Sequence, residues 1–142
     1  MRAVEAAGRD VVFVTGRPPR WMGEIAEQTG HTGMAVCGNG ALIYDLHTET
    51  VAQRFELPAE IGRQAAEAIR AAMPEAAFAV EAANGFGREP GYALRRDRPE
   101  ARVAALGQLL DGPVVKLLVR HETAAVDELP ATARGCSAIW SR

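Results

Sequence analysis

Short apolar runs alternate with segments of helical spacing along the first third of the chain. The run Val11–Val14 is continuously β-branched or aromatic, as is typical of a parallel strand buried on both faces. Met34–Cys37 is a second short run of this kind, and Arg20–Thr29 between them has helical spacing. This strand–helix–strand order predicts an open parallel sheet. The side of the helix expected to face the sheet carries Trp21, Ile25 and Gln28.

The alternation continues to the end of the chain. Beyond the turn at Gly38–Gly40, a hairpin is predicted to run from Ala41 to Leu57, reversing at His47–Thr50. Pro58–Met73 has the longest helical pattern, with an apolar stripe of Ile61, Ala65, Ala68, Ile69 and Ala72. Ala83–Tyr92 is rich in glycine and polar residues, which predicts a loop. The other predicted elements are a helix ending at Ala7, strands at Ala77–Glu81, Pro113–Arg120 and Cys136–Trp140, and helices at Pro99–Leu110 and Thr123–Thr132.

The pattern changes near Leu57, and this change predicts two units of the α/β class. Residues 1–57 have the order of a partial Rossmann-like core built on a parallel sheet. Residues 58–142 alternate helix and strand three times, as in a compact α/β unit of its own. With 142 residues shared between them, each unit can bury only a small core.

Composition narrows the classes of partner. Acidic residues outnumber basic ones by 18 to 16, so the chain offers no strongly basic surface to nucleic acid. No apolar run approaches the roughly 20 residues that cross a bilayer, and the first ten residues do not resemble a signal peptide. We therefore predict a cytoplasmic protein with no membrane partner. Cys37 and Cys136 read as buried thiols, and the three histidines are too dispersed for a zinc site.

The first candidate for chemistry is the segment that follows the Val11–Val14 run. In parallel α/β sheets, ligands bind beyond the carboxyl ends of strands. Thr15 carries a hydroxyl that can donate to a phosphoryl oxygen, Gly16 allows close approach of backbone N–H groups, and Arg17 offers a cationic fork. The alternative is a plain strand-to-helix turn with a solvated arginine. Taken alone, the three residues favour that alternative.

The second candidate follows the next strand. Asn39 and Gly40 stand in the sequence Cys-Gly-Asn-Gly-Ala, where the asparagine amide could reach a ligand. An Asn-Gly pair is also a common way to open a hairpin, which is the stronger interpretation when the pair is taken alone.

The two candidates together resemble a known family. Val-Thr-Gly-Arg-Pro at positions 14–18, then a helix, then Cys-Gly-Asn-Gly-Ala-Leu-Ile-Tyr-Asp at 37–45, is similar to the second signature region of Cof-type phosphatases of the haloacid dehalogenase (HAD) superfamily. Residues 86–92 and 113–119 resemble a loop and a strand of the α/β cap domain of that family. The resemblance implies Mg²⁺-dependent hydrolysis of a small phosphorylated metabolite. It assigns a catalytic role to Thr15 and substrate contacts to Gly16, Arg17, Asn39 and Gly40.

The family mechanism also needs groups that this sequence does not show. Its nucleophile and acid/base form an Asp-x-Asp pair, whereas the five aspartates here stand at positions 10, 45, 97, 111 and 127. Lys116 lies inside a predicted strand and does not match the catalytic lysine of the family. We therefore expect an internal fragment without turnover, whose magnesium ligands lie outside the chain. The alternatives are a non-catalytic module that binds phosphate or sugar phosphate, and a truncated gene product.

Two further expectations concern surfaces. The resemblance implies that Arg88, Glu89 and Tyr92 form a cap loop that selects the substrate, and the mixture of side chains favours this interpretation over the alternative of a solvated, glycine-rich connection. The run Val11–Val14 contains no lysine or proline that would discourage pairing with another chain. Self-association through this strand is therefore predicted.

Overall fold

The computed structural model describes residues 2–82, 84–94 and 98–122. The chain divides into two compact units, Met1–Glu56 and Leu57–Arg142. The predicted helix at 123–132 and strand at 136–140 lie outside the described residues.

The first unit is built on a four-stranded mixed sheet. Its elements are α1 (Arg2–Ala6), β1 (Phe13–Val14), a 3₁₀ turn (Pro19–Trp21), α2 (Met22–Thr29), β2 (Met34–Cys37), a second 3₁₀ turn (Gly38–Gly40), β3 (Leu42–Asp45) and β4 (Thr50–Arg54). Strand order is β1-β2-β3-β4, in which β1 is parallel to β2 and the other neighbours are antiparallel. The parallel pair is the strand–helix–strand segment that the sequence predicted, and β3 and β4 form the predicted hairpin.

Strand β1 differs from its prediction. Phe13 faces one side of the sheet and meets the ring of His31 edge-on, with centroids 4.7 Å apart. On the other side, the side chains of Val12 and Val14 are 50% and 76% exposed. Within the described residues, the run is therefore not buried on both faces. There β1 is also the edge strand and pairs only with β2.

Helix α2 packs through a different residue from the one predicted. Met22 is completely buried, whereas Trp21 is 40% exposed. The reason is that Trp21 belongs to the preceding 3₁₀ turn, so the α-helix begins one residue later and its register turns Met22 inward. The helix ends at Gly30, whose left-handed conformation lets its N–H donate to the Ala26 carbonyl at 2.8 Å.

The elements of the second unit are α3 (Ala59–Ala72), β5 (Ala77–Ala82), β6 (Gly85–Arg88), β7 (Arg102–Val103), α4 (Leu106–Leu109) and β8 (Lys116–Arg120). Its sheet has the order β7-β6-β5-β8. Strand β5 is antiparallel to both β6 and β8, and β6 is parallel to β7. The buried core of the unit gathers around Phe78, Leu110 and Val114.

Helix α3 follows its prediction closely. It buries Gly62, Ala65 and Ala66, whereas Ala72 of the predicted stripe is exposed. A Cβ on Gly62 would lie 3.1 Å from a methyl of Leu110, so this glycine allows the helix to pack closely on the core.

Two predictions in the second unit are wrong. The segment 83–92 is not simply a loop, since it contains β6, in which Phe86 and Gly87 are buried. A Cβ on Gly87 would lie 2.7 Å from Leu109, so the glycine permits packing there. The predicted helix at 99–110 is replaced by β7 and the short α4, because pairing with β6 overrides the helical propensity of the alanines.

Candidate functional site

The site lies at one end of the first sheet, where β1 and β2 both finish. These strands are parallel, with Val14 opposite Val36, so their carboxyl ends share an edge. The N–H of Thr15 donates to the Val36 carbonyl at 2.9 Å, which extends the pairing by one residue beyond β1. The chain segments after the two strands, Thr15–Arg17 and Gly38–Gly40, are thereby adjacent.

Two main-chain hydrogen bonds join these segments directly. The N–H of Asn39 donates to the Thr15 carbonyl at 3.1 Å, and the N–H of Gly38 donates to the Arg17 carbonyl at 3.0 Å. The structure therefore brings Thr15, Arg17 and Asn39 together, although Asn39 is far from the other two in sequence. We call Thr15–Arg17 with Gly38–Gly40 the paired loops.

The hydroxyl of Thr15 has a defined role in this arrangement. Its Oγ1 accepts a hydrogen bond from the N–H of Arg17 at 3.1 Å. A hydroxyl has one proton to donate and can accept two hydrogen bonds. Because the N–H of Arg17 occupies an acceptor position, the proton of Thr15 can be directed to another oxygen.

The turn Gly38–Gly40 has an unusual backbone. All three residues have positive φ, at 62° for Gly38, 64° for Asn39 and 104° for Gly40. Left-handed conformation is unstrained for glycine, and asparagine is one of the few other residues that adopts it readily. The turn therefore depends on its Gly-Asn-Gly composition.

Asn39 also meets Gly16 across the paired loops. A Cβ built on Gly16 would lie 3.1 Å from Oδ1 and 3.3 Å from Nδ2 of Asn39. The φ of Gly16 is not in the left-handed region, so the backbone does not require glycine at this position. The absence of a side chain instead leaves space for the asparagine amide.

Arg17 supplies positive charge at this edge. Its side chain is exposed, and within the described residues it makes no hydrogen bond or ion pair through the guanidinium. A guanidinium is well suited to phosphate, because its planar N–H groups can donate two parallel hydrogen bonds. Helix α2 begins only after the 3₁₀ turn, so Thr15–Arg17 does not lead directly into an α-helix.

Asp45 lies at the end of the sheet that is opposite to the paired loops. It ends β3, which is antiparallel to β2, and it stands opposite Met34 at the start of β2. Its Oδ1 accepts hydrogen bonds from the N–H groups of His47 at 2.8 Å and Thr48 at 3.2 Å. These bonds, that of Thr48 first, hold the pKa of Asp45 below its usual value. The carboxylate therefore closes the β3–β4 turn.

The residues of the predicted cap loop contact their own unit. One oxygen of Glu89 accepts from Arg70 at 2.6 Å and from the N–H of Phe78 at 2.9 Å. Nη1 of Arg88 lies 3.3–3.4 Å from three carbonyls of the following segment, and the ring of Tyr92 meets Phe86 edge-on at 6.4 Å. These contacts give the segment a fixed course. A role in substrate selection stays a prediction.

Phe55 is a residue that the sequence analysis did not single out. It is 58% exposed, and its N–H donates to the carbonyl of Ala41 at 2.7 Å, directly after the Gly38–Gly40 turn. It therefore lies at the same edge as the paired loops, two strand spacings or about 10 Å from β2. The sequence could have pointed to Phe55, because this large apolar residue directly follows the polar, exposed strand β4.

Two negative findings apply to the described part of the chain. No helix in it is long and apolar enough to cross a membrane. No three histidine, cysteine, aspartate or glutamate side chains within these ranges lie close enough together to hold a metal ion.

Comparison with known proteins identifies the family of the chain. A family model described as haloacid dehalogenase-like hydrolase matches residues 1–99. A search of curated proteins found no match. A phosphatase of the haloalkanoate enzyme superfamily from Bacteroides thetaiotaomicron has a similar structure, with a TM-score of 0.63, 19% identity, and coverage of 94% of this chain and 51% of that protein.

A second similar structure is a subclass IIB sugar phosphatase of the same superfamily. Its TM-score is 0.66 at 12% identity, with coverage of 95% of this chain and 52% of that protein. The chain thus spans about half the length of both solved structures. At these identities the two structures show the shared α/β fold, and the family match extends over most of the sequence. The chain therefore belongs to the haloacid dehalogenase-like hydrolase family.

Proposed function

We propose that this chain is part of a HAD-type phosphatase acting on small phosphorylated metabolites, and that its paired loops hold the phosphoryl group. The observation that carries the proposal is the pair of hydrogen bonds from Gly38 and Asn39 to the carbonyls of Arg17 and Thr15. They hold the main chain of Thr15 and Arg17, which carry a hydroxyl and a guanidinium, at the end of a parallel strand pair. In such folds this is where ligands bind.

Each residue would have a distinct task. Thr15 would donate its hydroxyl proton to a phosphoryl oxygen, because the N–H of Arg17 already occupies an acceptor position on Oγ1. Arg17 would place its guanidinium against the other oxygens. Fixed donors of this kind stabilise charge that develops in the transition state without a cost of reorganisation. A sugar phosphatase among the similar structures supports a sugar phosphate as the substrate class.

The complete enzyme, of which this chain is proposed to be a part, would bind Mg²⁺. Where bound, it would neutralise phosphate charge and orient the group for attack. The described residues do not fit such a site, since they bring no three ligating side chains together. No step assigned to Thr15 or Arg17 depends on the ion. A cytoplasmic location is part of the same proposal.

Titration with inorganic phosphate tests the binding site. The ¹⁵N-labelled chain is expected to show amide shifts at Thr15–Arg17 and Gly38–Gly40, compared with chloride at equal ionic strength. Arg17→Gln should weaken binding about tenfold, as for loss of a charge-assisted hydrogen bond of about 1.5 kcal/mol. Arg9→Gln, an exposed arginine of the same unit, is the matched control. If both variants lost the same affinity for phosphate, the change in net charge alone would explain the effect, and the proposal would be contradicted.

Turnover is a separate question. The chain with p-nitrophenyl phosphate and Mg²⁺ is expected to hydrolyse no more ester than a blank. Hydrolysis that persists through purification and disappears in Thr15→Ala would show that the chain is itself a catalyst. Flanking DNA distinguishes the remaining alternatives. An in-frame Asp-x-Asp upstream and a Gly-Asp downstream indicate part of an enzyme. Their absence favours a non-catalytic module that binds phosphate or sugar phosphate, or a truncated gene product.

A further inference from the structure

Asn39 does more in the paired loops than form a turn. The turn needs left-handed backbone at three successive positions, and the sequence uses glycine at the first and third. Glycine at position 39 would adopt φ of 64° with less strain than asparagine does. The backbone alone therefore does not account for an asparagine there. Its side chain must contribute something that glycine lacks.

The position of that side chain shows the contribution. Both polar atoms of the amide lie 3.1–3.3 Å from the point that a Cβ of Gly16 would occupy. Gly16 is the middle residue of the Thr15–Arg17 segment, and the carbonyls on either side of it accept the N–H groups of Asn39 and Gly38. The loop is thus held at both ends by main-chain hydrogen bonds and contacted at its centre by the amide.

We infer that Asn39 is a positioning residue, whose carboxamide fixes the main-chain course at Gly16 and so aims the Thr15 hydroxyl and Arg17 at the ligand. The inference rests on the proposed phosphate site, although its structural part holds without a ligand. Gly16 is then the complementary half of the contact. The φ of Gly16 does not require glycine. Glycine is needed at this position because a side chain would crowd the Asn39 amide.

Hydrogen exchange without phosphate tests the structural part. The probe is the N–H of Gly38, which bonds to Arg17, and the control is the N–H of Gly30, which caps α2. If Asn39 only forms the turn, Asn39→Gly leaves the protection of Gly38 unchanged or higher. We expect instead a loss of about tenfold, which corresponds to about 1.4 kcal/mol of local opening. Asn39→Asp keeps the shape and the left-handed backbone and should restore most of the protection.

A double-mutant cycle tests the contact with Gly16. In the native chain, Gly16→Ala should lower the protection of Gly38, because the new methyl displaces the amide. In Asn39→Gly the same change should have little effect, since the space is empty. Effects of the two substitutions that simply add would overturn the inference, because residues in contact are expected to couple.

Titration with inorganic phosphate completes the test. Asn39→Gly should weaken phosphate binding about tenfold while its thermal unfolding midpoint stays within a few degrees of the native value. Affinity equal to that of the native chain would overturn the positioning role. If the native chain itself shows no phosphate shifts at residues 15–17, the proposed function fails, and the exchange experiment still decides whether Asn39 fixes the loop.

Discussion

Replacing Glu89 by alanine should destabilise the second unit by more than is usual for a substitution near the surface. The carboxylate is 14% exposed and bonds both to Arg70 and to the N–H of Phe78, a residue with no exposed surface. Its backbone N–H also donates to the Phe78 carbonyl at 2.9 Å. Glu89 therefore closes the end of the β5–β6 pair.

The magnitude follows from the groups left behind. Removing the acceptor leaves the buried N–H of Phe78 without its partner, which costs about 1–3 kcal/mol. Arg70 is 42% exposed and can return to water, so loss of the ion pair adds at most about 1 kcal/mol. We expect Glu89→Ala to lower the free energy of unfolding by about 2–3 kcal/mol. Glu89→Gln keeps an acceptor for the N–H and should cost about half as much.

Urea unfolding followed by circular dichroism measures both variants. Glu67→Ala is the control, because Glu67 is exposed on α3 and its loss should change stability by less than about 0.5 kcal/mol. A double mutant with Arg70→Met isolates the ion pair. If Glu89→Ala unfolds at the same urea concentration as the native chain, the carboxylate is not structural. Its predicted role in substrate selection would then be the better explanation for its presence.

Four further outcomes are expected. In a complete enzyme with the Asp pair, Thr15→Ala should lower kcat by roughly 10²–10³-fold and change KM less, and an unchanged kcat would leave Thr15 as a turn residue. Val14→Lys should reduce self-association in light scattering, since it places a charge on the exposed edge strand; unchanged scattering would locate association elsewhere. Asp45→Ala should destabilise at neutral pH and progressively less at acid pH, because a lowered folded pKa stabilises the native state only above it; a thermal-melt difference that persists at pH 2 would contradict this. Changing Arg88 or Tyr92 in the complete enzyme should alter preference among sugar phosphates more than activity on a small ester, and parallel changes would argue against a specificity loop.

Local pattern predicted the elements that local interactions determine. The helix α3 and the strand β2 lie close to their predicted bounds, although Ala65 is the one buried residue of the stripe predicted for α3. The 3₁₀ turn before α2 was not visible in the sequence, and it shifts the buried position from Trp21 to Met22. A shift of one residue rotates a helix by about 100°, which is enough to exchange an exposed side chain for a buried one.

Features that depend on distant partners were less predictable. Strand β6 is rich in glycine, and it forms a strand through its pairing with β5 and β7 and its packing against Leu109. In the candidate site, residue types and strand ends suggested Thr15, Arg17 and Asn39 separately. The hydrogen bonds that join the paired loops, and the contact between Asn39 and Gly16, depend on tertiary placement that no local pattern encodes.

The order of strands also bears on how the chain folds as it leaves the ribosome. The described strands of the first unit pair within residues 13–54, so that sheet can close while later residues are still being made. Strand β5 of the second unit must wait for β8, in which Val119 pairs with Phe78. At roughly 5–20 residues per second, that delay lasts several seconds. During synthesis the apolar strand β5 can pair with β6 but not yet with β8, so one of its sides stays open to pairing with other chains for that time.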